Sequence, residues 1–492
     1  MKIVLINVPN KYELVGNDPV IIKDQQGVYP PLGLLYTSAY INKKGQHKVE
    51  IIDCQAEDLS HAECAERVVE KNPDMVGLTA MTFTLVDVKL TVQEIKKLLP
   101  DVPIVIGGPH TAIFPEECFA KEGLQADYVV IGEGEITLNE LANDIENNTV
   151  KGKIYRQTNF IQNLDELPFA DYDAVDIHNY YSVLAEETPS VTLFTSRGCP
   201  FSCAYCDRPA LGKGFRPQGA MRVVDEMESV EKRGAKEIFF YDDTFSVSMK
   251  RVNEICDEYI KRGLKIKWDI RTRVNVVNEE LLKKMKKAGC ERIHFGVESG
   301  NPRIVRTMNK GTSIKQVEDA FAICRRVGIK TLAYFMLGNP GETFDDVKDT
   351  LAVSKKIKPD FMQMTILSPF PATKYYLDWM KIPGHKDVWK EYAININDDF
   401  RPPLWDEIYS REELEAQLRW FYAKFYLTPS FVLARILELR NWGQFKRYAS
   451  AGISLLKMTF VKESKMKDSW GLRTKTGIAN SAKPEAAIEL AA

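Results

Sequence analysis

Ser196-Arg197-Gly198-Cys199-Pro200-Phe201-Ser202-Cys203-Ala204-Tyr205-Cys206 is the stretch on which the reading of this chain turns. It follows an apolar run at residues 191–195 and sets three thiols in a C-x3-C-x2-C spacing on a loop. An iron–sulfur cube ordinarily takes four thiolates, so three from one loop leave one iron open to a ligand that is not protein. Structural zinc sites close with four ligands in paired sets, whereas Cys256, Cys290 and Cys324 are widely separated and form no matching pair. The opening apolar run, residues 3–8, is far from a secretory signal. Nine cysteines, an odd number, then read as one metal site plus scattered thiols. Cys54, Cys64, Cys118, Cys256, Cys290 and Cys324 are expected to be core or surface thiols.

Downstream of the cysteine loop, strand-like runs at 237–241, 266–271, 292–297, 331–337 and 361–366 alternate with helical spacing at 221–232, 279–288, 314–327 and 343–357. Together with 191–195 these make six βα units, a partial barrel expected over 191–403. Barrel chemistry belongs at the carboxyl ends of the strands. The cysteine loop stands at the first such end. Asp242 and Asp243 stand at the second, Arg271 and Arg273 at the third, Glu298, Ser299 and Gly300 at the fourth, Gly338 to Glu342 at the fifth, and Ser368 and Pro369 at the sixth. Taken singly, the acids read equally well as caps on the next helix and the arginines as surface pairs.

Upstream, runs at 3–8, 49–53, 75–79, 104–106 and 128–131 alternate with helical stretches such as 87–99 and 115–122. That alternation predicts a doubly wound, Rossmann-like parallel sheet over 1–147, with ligands beyond the carboxyl ends of its strands. The residues at those ends are Pro30 and Gly33, Thr79, Gly107 with Gly108 and His110, and Gly132 with Glu133 and Gly134. One glycine pair is weak evidence, because tight turns need glycine as often as ligands do. Four such loops at successive strand ends point to a binding edge. Residues 148–190, rich in prolines, acids and aromatics without sustained periodicity, read as a connector packed across two domains.

At 492 residues the chain exceeds a single core. Hydrophobic content of 45% and charged content of 27% are ordinary for a soluble protein, and a formal charge of −2 gives no electrostatic reason to expect nucleic acid. No segment has the apolar length of a membrane span, so a cytoplasmic location is expected. Residues 404–463 are expected to form a helical C-terminal domain. Between 416 and 462 there are eight Lys or Arg against one acid, Glu438, with ten aromatics among them. Such an element reads as a helical cap over the barrel mouth with solvated bases. The alternative is a surface that meets a membrane or a hydrophobic anionic substrate. The tail at 464–492 lacks pattern and is expected to be disordered.

The cysteine spacing resembles that of the radical S-adenosylmethionine (SAM) superfamily. The resemblance implies a [4Fe-4S] cluster on Cys199, Cys203 and Cys206, SAM on the open iron, and a 5′-deoxyadenosyl radical. It assigns Asp242 or Asp243 to the SAM ammonium, Arg271 to its carboxylate or ribose, Glu298 to a hydroxyl and Tyr205 to the adenine. The run Phe239, Phe240, Tyr241, Asp242, Asp243, Thr244, Phe245 resembles the cobalamin-dependent branch, as do Gly296 to Gly300 and Phe335 to Thr343. The loop at Gly107 to Thr111, followed by Asp127 to Thr137, resembles its cobalamin-binding domain. The D-x-H-x-x-G sequence that carries a cobalt-ligating histidine elsewhere is absent. Cobalamin is therefore expected to lie against Pro30, Gly33, Thr79, Gly107, Gly108, His110, Gly132, Glu133 and Gly134 without a histidine ligand. The implied activity is methylation of an unactivated carbon, with the methyl group passing by way of cobalt and with flavodoxin or ferredoxin as electron donor. The alternatives are an anaerobic oxidative cyclase of the tetrapyrrole type and, remotely, a non-catalytic corrinoid carrier or sensor.

Overall fold

The computed structural model describes residues 1–14, 27–207, 212–429, 431–433 and 452. Six short runs, most of them rich in Val and Ile, form one parallel sheet: β1 (Lys2–Asn7), β2 (Lys48–Asp53), β3 (Met75–Thr79), β4 (Ile104–Gly107), β5 (Tyr128–Ile131) and β6 (Ile154–Arg156). Their order is β2-β1-β3-β4-β5-β6. Both faces are covered, as continuous apolar strands require. Ile3 and Leu5 pack with α1 (Leu32–Lys44) and α4 (Gly134–Glu146), while Val4 and Ile6 pack with α2 (His61–Lys71) and α3 (Leu85–Leu98). The order reverses between β1 and β3, which is the crevice where such sheets take their ligands.

Two details differ from the sequence reading. β6 falls inside the stretch read as a connector, because three residues between lysines and glutamine carry no period. Residues 115–122 hold only a 3₁₀ turn, Glu117–Phe119, since Pro115 and Gly123 leave no room for a second turn of α-helix.

The second half is a parallel sheet of six strands in sequential order: β7 (Ser190–Leu193), β8 (Glu237–Phe240), β9 (Lys267–Thr272), β10 (Cys290–Glu298), β11 (Lys330–Leu337) and β12 (Phe361–Ile366). Helices α5 (Ala220–Lys232), α6 (Met249–Arg262), α7 (Glu279–Lys287), α8 (Ile314–Val327) and α9 (Phe344–Ile357) return the chain after successive strands. Ile238, Phe240, Trp268, Ile270, Ile293 and Phe295 pack outward into the common core. The alternate positions Phe239, Asp269, Arg271, Arg292, His294 and Tyr334 then share the opposite, inner face.

A sheet that stops at six strands exposes two edges. The Tyr172 hydroxyl, from the connector, takes the Thr192 N–H of β7 at 3.2 Å and donates to the carbonyl of the same residue. At the other edge lies α10 (Arg411–Tyr426). Its Tyr422 hydroxyl accepts from Met364 N–H at 3.0 Å and donates to Met364 O, and Tyr426 treats Met362 the same way. Trp420 packs edge-on to Phe344 at 4.9 Å, and Phe421 is buried against Phe335. The cap expected over the barrel mouth therefore lies, in its described part, along the β12 edge, and its aromatics are spent on the barrel wall. Trp442, Phe445, Lys446, Arg447 and the 464–492 tail lie outside the described residues.

Candidate active site

The cysteine loop is a closed structure. Ser196 and Arg197 pair antiparallel with Pro217 and Arg216, a two-residue stem beneath the cysteines. Gly198 turns the chain with φ +80°, a region closed to most side chains. Cys199 is buried with its sulfur 3.5 Å from the Thr244 hydroxyl, Cys203 is half-buried, and Cys206 is exposed. The loop backbone is sewn to the barrel by Ala204 N–H to Met308 O at 2.8 Å and Tyr375 N–H to Ala204 O at 3.0 Å. Among the described residues no three ligand side chains converge as a single ion would need. A cube makes a different demand, one thiolate to each of three irons, and three thiols on one anchored loop suit it.

Around the loop stands a second set of groups. Arg273 donates to the Cys203 sulfur at 3.3 Å, lies over the Phe201 ring at 4.0 Å and bonds the Lys310 carbonyl. The Tyr205 hydroxyl donates to Glu298 at 2.9 Å, and Lys310 bonds both Tyr205 and Glu298, the latter at 2.6 Å. Burial first, and the Glu298 charge second, push the Tyr205 phenol well above its ordinary pKa, so it stays a donor. Glu298 holds φ +68°, a strained conformation for a side-chain-bearing residue. This strain sits at the strand end where the chemistry is expected.

Asp242 and Asp243 part company. Asp242 is fully buried and accepts from Thr195 N–H at 2.6 Å, Thr195 Oγ1 and Ser196 Oγ at 2.5 Å each, with Arg251 at 3.8 Å. Burial raises its carboxyl. These contacts make it an anchor for the root of the cysteine loop, which corrects the expectation that it meets a ligand. Asp243 is exposed beside it. Arg271 stands deeper in the barrel, with the rings of Phe239 and Tyr241 each 4.9 Å from its guanidinium.

The N-terminal sheet turns its carboxyl edge toward this loop. Glu133 is buried and its carboxylate is consumed by protein: Arg197 at 2.9 Å, Arg216 at 2.8 Å, Gln157 at 3.1 Å and Ile161 N–H at 2.7 Å. Glu135 takes the other arm of Arg197 at 2.5 Å. Glu133 thus joins the two domains, and the expected ligand contact is corrected to an ionic clamp on the cysteine-loop stem. Among the glycines, a Cβ on Gly108 (φ +96°) would strike Thr79 Oγ1 at 2.7 Å and the Ala80 backbone, one on Gly132 would strike Gln157, and one on Gly134 would crowd Thr37. These three serve the protein's own packing. Above Gly33 a Cβ would meet nothing within 4 Å, and above Gly107 nothing nearer than 3.9 Å. That leaves room for a ligand at the first turn of α1 and the end of β4. Pro30 is buried at the approach to α1 and Thr79 ends β3, beside the switch point. His110 is buried, with Nδ1 3.0 Å from Thr82 Oγ1 and Nε2 without a hydrogen-bond partner. Burial lowers it to about 4, so it is neutral at physiological pH. A large flat group with polar edges fits this edge of glycine backbone, threonine hydroxyl and neutral imidazole.

Sequence reasoning had noticed Arg273 without a role and had missed Lys310 and the Glu133–Arg197–Glu135 clamp. Arg197, two residues before Cys199, was the available signal for the clamp.

Two family models match, the B12 binding domain over residues 19–142 and the radical SAM superfamily over residues 193–353. An uncharacterized methyltransferase of Pyrococcus horikoshii is 33% identical over 428 residues, 83% of this chain and 90% of that protein. The chain belongs to the B12-binding branch of the radical SAM superfamily. This radical SAM protein is also 27% identical to the anaerobic magnesium-protoporphyrin IX monomethyl ester cyclase of Rubrivivax gelatinosus, over 82% of this chain and 75% of that one. Among solved structures, the cobalamin-dependent SAM radical enzyme OxsB superposes with a TM-score of 0.65 over 93% of this chain and 72% of its own, at 18% identity. That last likeness speaks to the fold.

Proposed function

We propose that this radical SAM enzyme is a cobalamin-dependent methyltransferase acting on an unactivated carbon of a largely hydrophobic small molecule. The observation that carries the reading is the clamp. Arg197, two residues before the first cluster cysteine, is held by Glu133 and Glu135 at the carboxyl edge of the B12-binding sheet. That contact supports a cysteine loop set against the edge proposed for cobalamin. When bound, the cluster supplies the electron that cleaves the SAM sulfur–carbon bond, and cobalamin supplies a carrier for the methyl group.

The chain's own residues position these reactants. Cys199, Cys203 and Cys206 would hold the cluster and leave it open to SAM. Asp243 offers an acceptor to the ammonium, and the Glu298–Lys310 pair beside Tyr205 offers an acceptor and a donor to ribose hydroxyls. Gly33, Gly107, Thr79 and His110 line the edge for the corrinoid. A one-electron donor such as flavodoxin or ferredoxin serves the cluster, and a cytoplasmic setting suits it. Among the described residues no helix is long and apolar enough to cross a membrane.

The test is to reconstitute the protein anaerobically and to feed methyl-deuterated SAM to an expressing host. Label in a metabolite, lost on Cys199→Ala together with 5′-deoxyadenosine formation, is the expected result. The likeness to the Rubrivivax cyclase favours a second reading, oxidative cyclisation, which predicts 5′-deoxyadenosine with no labelled product. No 5′-deoxyadenosine at all would leave a corrinoid carrier.

A further inference from the structure

Below the mouth, on the inner face of the barrel, lies a cation with no carboxylate partner among the described residues. The Arg271 guanidinium lies between the rings of Phe239 and Tyr241, and the Tyr241 and Tyr334 hydroxyls bond it. The Tyr29 ring, brought in from the N-terminal domain, stands 6.0 Å from Tyr241 and closes the cage. His294 completes the wall, its ring 4.9 Å from Phe239 and its Nδ1 3.0 Å from the Tyr334 hydroxyl. Arg271 Nε is buried and has no hydrogen-bond partner, and the same is true of His294 Nε2.

Three described acids on or beside the same inner face are committed elsewhere. Asp269, two residues earlier on the same face, is in contact with Arg292, and Glu237 is 3.9 Å from that same arginine. Burial, with the nearby Asp269 charge, raises the Glu237 carboxyl toward its neutral form. Glu298, at the mouth, is paired with Lys310 at 2.6 Å. Burial together with the Arg292 and Arg271 charges keeps His294 neutral, so it neither adds to the positive charge nor cancels it. Aromatic faces return on the order of 1–2 kcal/mol to a desolvated guanidinium, well short of the cost of an unpaired buried charge. The missing counter-charge is best supplied by a ligand, and a guanidinium with free donors matches an oxyanion in geometry as well as in sign.

We infer that the cage of Tyr29, Phe239, Tyr241, His294 and Tyr334 around Arg271 is a substrate subsite that takes an oxyanion, carboxylate or phosphate, borne on an apolar body. The inference rests on the proposed methyltransferase reading for the word substrate, while anion binding by the cage stands independently of it. It reassigns Arg271 from SAM to the molecule that SAM acts upon. A hydrophobic substrate is thereby given one charged end, and that end is directed into the barrel lumen.

The experiment uses the reconstituted holoenzyme with benzoate, phenyl phosphate and, as the neutral isostere, benzamide, followed by ligand-observed NMR. Wild type is expected to bind at least one of the anions and to bind benzamide more weakly. The preferred anion separates the carboxylate source from the phosphate source. Arg271→Gln should weaken anion binding by about tenfold or more, and Arg271→Lys by less, because charge without the planar fork recovers part of the contact. Cluster absorbance and bound cobalamin report that each variant is folded. Calorimetric titration of SAM into Arg271→Gln should give an affinity within about threefold of wild type, a difference of about 0.7 kcal/mol. Anion binding unaffected by Arg271→Gln, benzamide bound as well as benzoate, or SAM affinity falling in step with anion affinity would each overturn the assignment. Failure of the methyltransferase reading would show differently, as anion binding intact with no methyl transfer from labelled SAM.

Discussion

Replacing Glu133 by Gln tests whether the domains are coupled as the geometry says. The side chain is buried and its carboxylate faces two arginines, a glutamine amide and a backbone N–H within 3.1 Å. Glutamine keeps the shape but removes the charge, leaving Arg197 and Arg216 buried with Glu135 as the remaining partner in the clamp. Removing one member of a buried ion pair costs about 3–5 kcal/mol, and the shared Glu135 places Glu133→Gln at the lower end. Burial works to raise the Glu133 carboxyl, but the Arg197 charge and the hydrogen bonds from Arg197, Ile161 and Arg216 outweigh it and hold it below its ordinary value. A depressed folded pKa gives stability that is present above the unfolded value, about 4.3, and lost as pH falls through the folded one. The clamp should then be insensitive to pH from neutrality down to about pH 5. Hydrogen exchange of the stem amides of Ser196, Arg197 and Arg216 is the direct assay, because it reads local opening without assuming two-state unfolding of a two-domain chain. Faster exchange by about a hundredfold, concentrated on the stem, is expected for a loss of about 3 kcal/mol. Stem exchange within about twofold of wild type would refute the clamp.

Three further outcomes follow from single contacts. Arg273→Met removes the donor on Cys203 and should lower the cluster reduction potential by on the order of 50 mV. Electron paramagnetic resonance during redox titration reads this, and an unchanged or higher potential counts against it. Tyr172→Phe, Tyr422→Phe and Tyr426→Phe should each cost about 1 kcal/mol or somewhat more, since a strand N–H and C=O lose their partner. Urea titrations showing no loss would mean the edges are satisfied by other groups. His110→Ala should leave the Co(II) electron paramagnetic resonance spectrum of the cobalamin-loaded protein unchanged, and axial nitrogen splitting that vanishes in the variant would make His110 a ligand.

The parts of the fold that were legible in the sequence are those written locally. Apolar runs such as residues 75–79 and 331–337 sit between helices with sustained period, and both parallel sheets followed from that alternation. β6 was lost because three residues at a sheet edge carry no periodic signal. The cysteines were legible for the same local reason, three thiols within eight residues. Asp242 was misread because its partners Thr195 and Ser196 lie 46 or 47 positions away and a loop acid looks the same before the fold buries it. Glu133 and Arg197 are 64 positions apart, and neither carries a local mark of the other. The glycines were legible as a group but not one by one. Only the built backbone separates Gly33 and Gly107, with space above them, from Gly108, Gly132 and Gly134, which have none.

The phenol hydroxyls of Tyr172, Tyr422 and Tyr426 change what the barrel can associate with. Each accepts from the N–H and donates to the C=O of one edge residue, so Thr192, Met364 and Met362 offer little to a strand from another molecule. An incomplete barrel would otherwise present two templates for β-pairing, and at high concentration would be prone to recruit its own copies. Here both margins are finished with side chains that need no partner strand. The gap between them can remain a passage, since the sheet of the described residues stops at six strands.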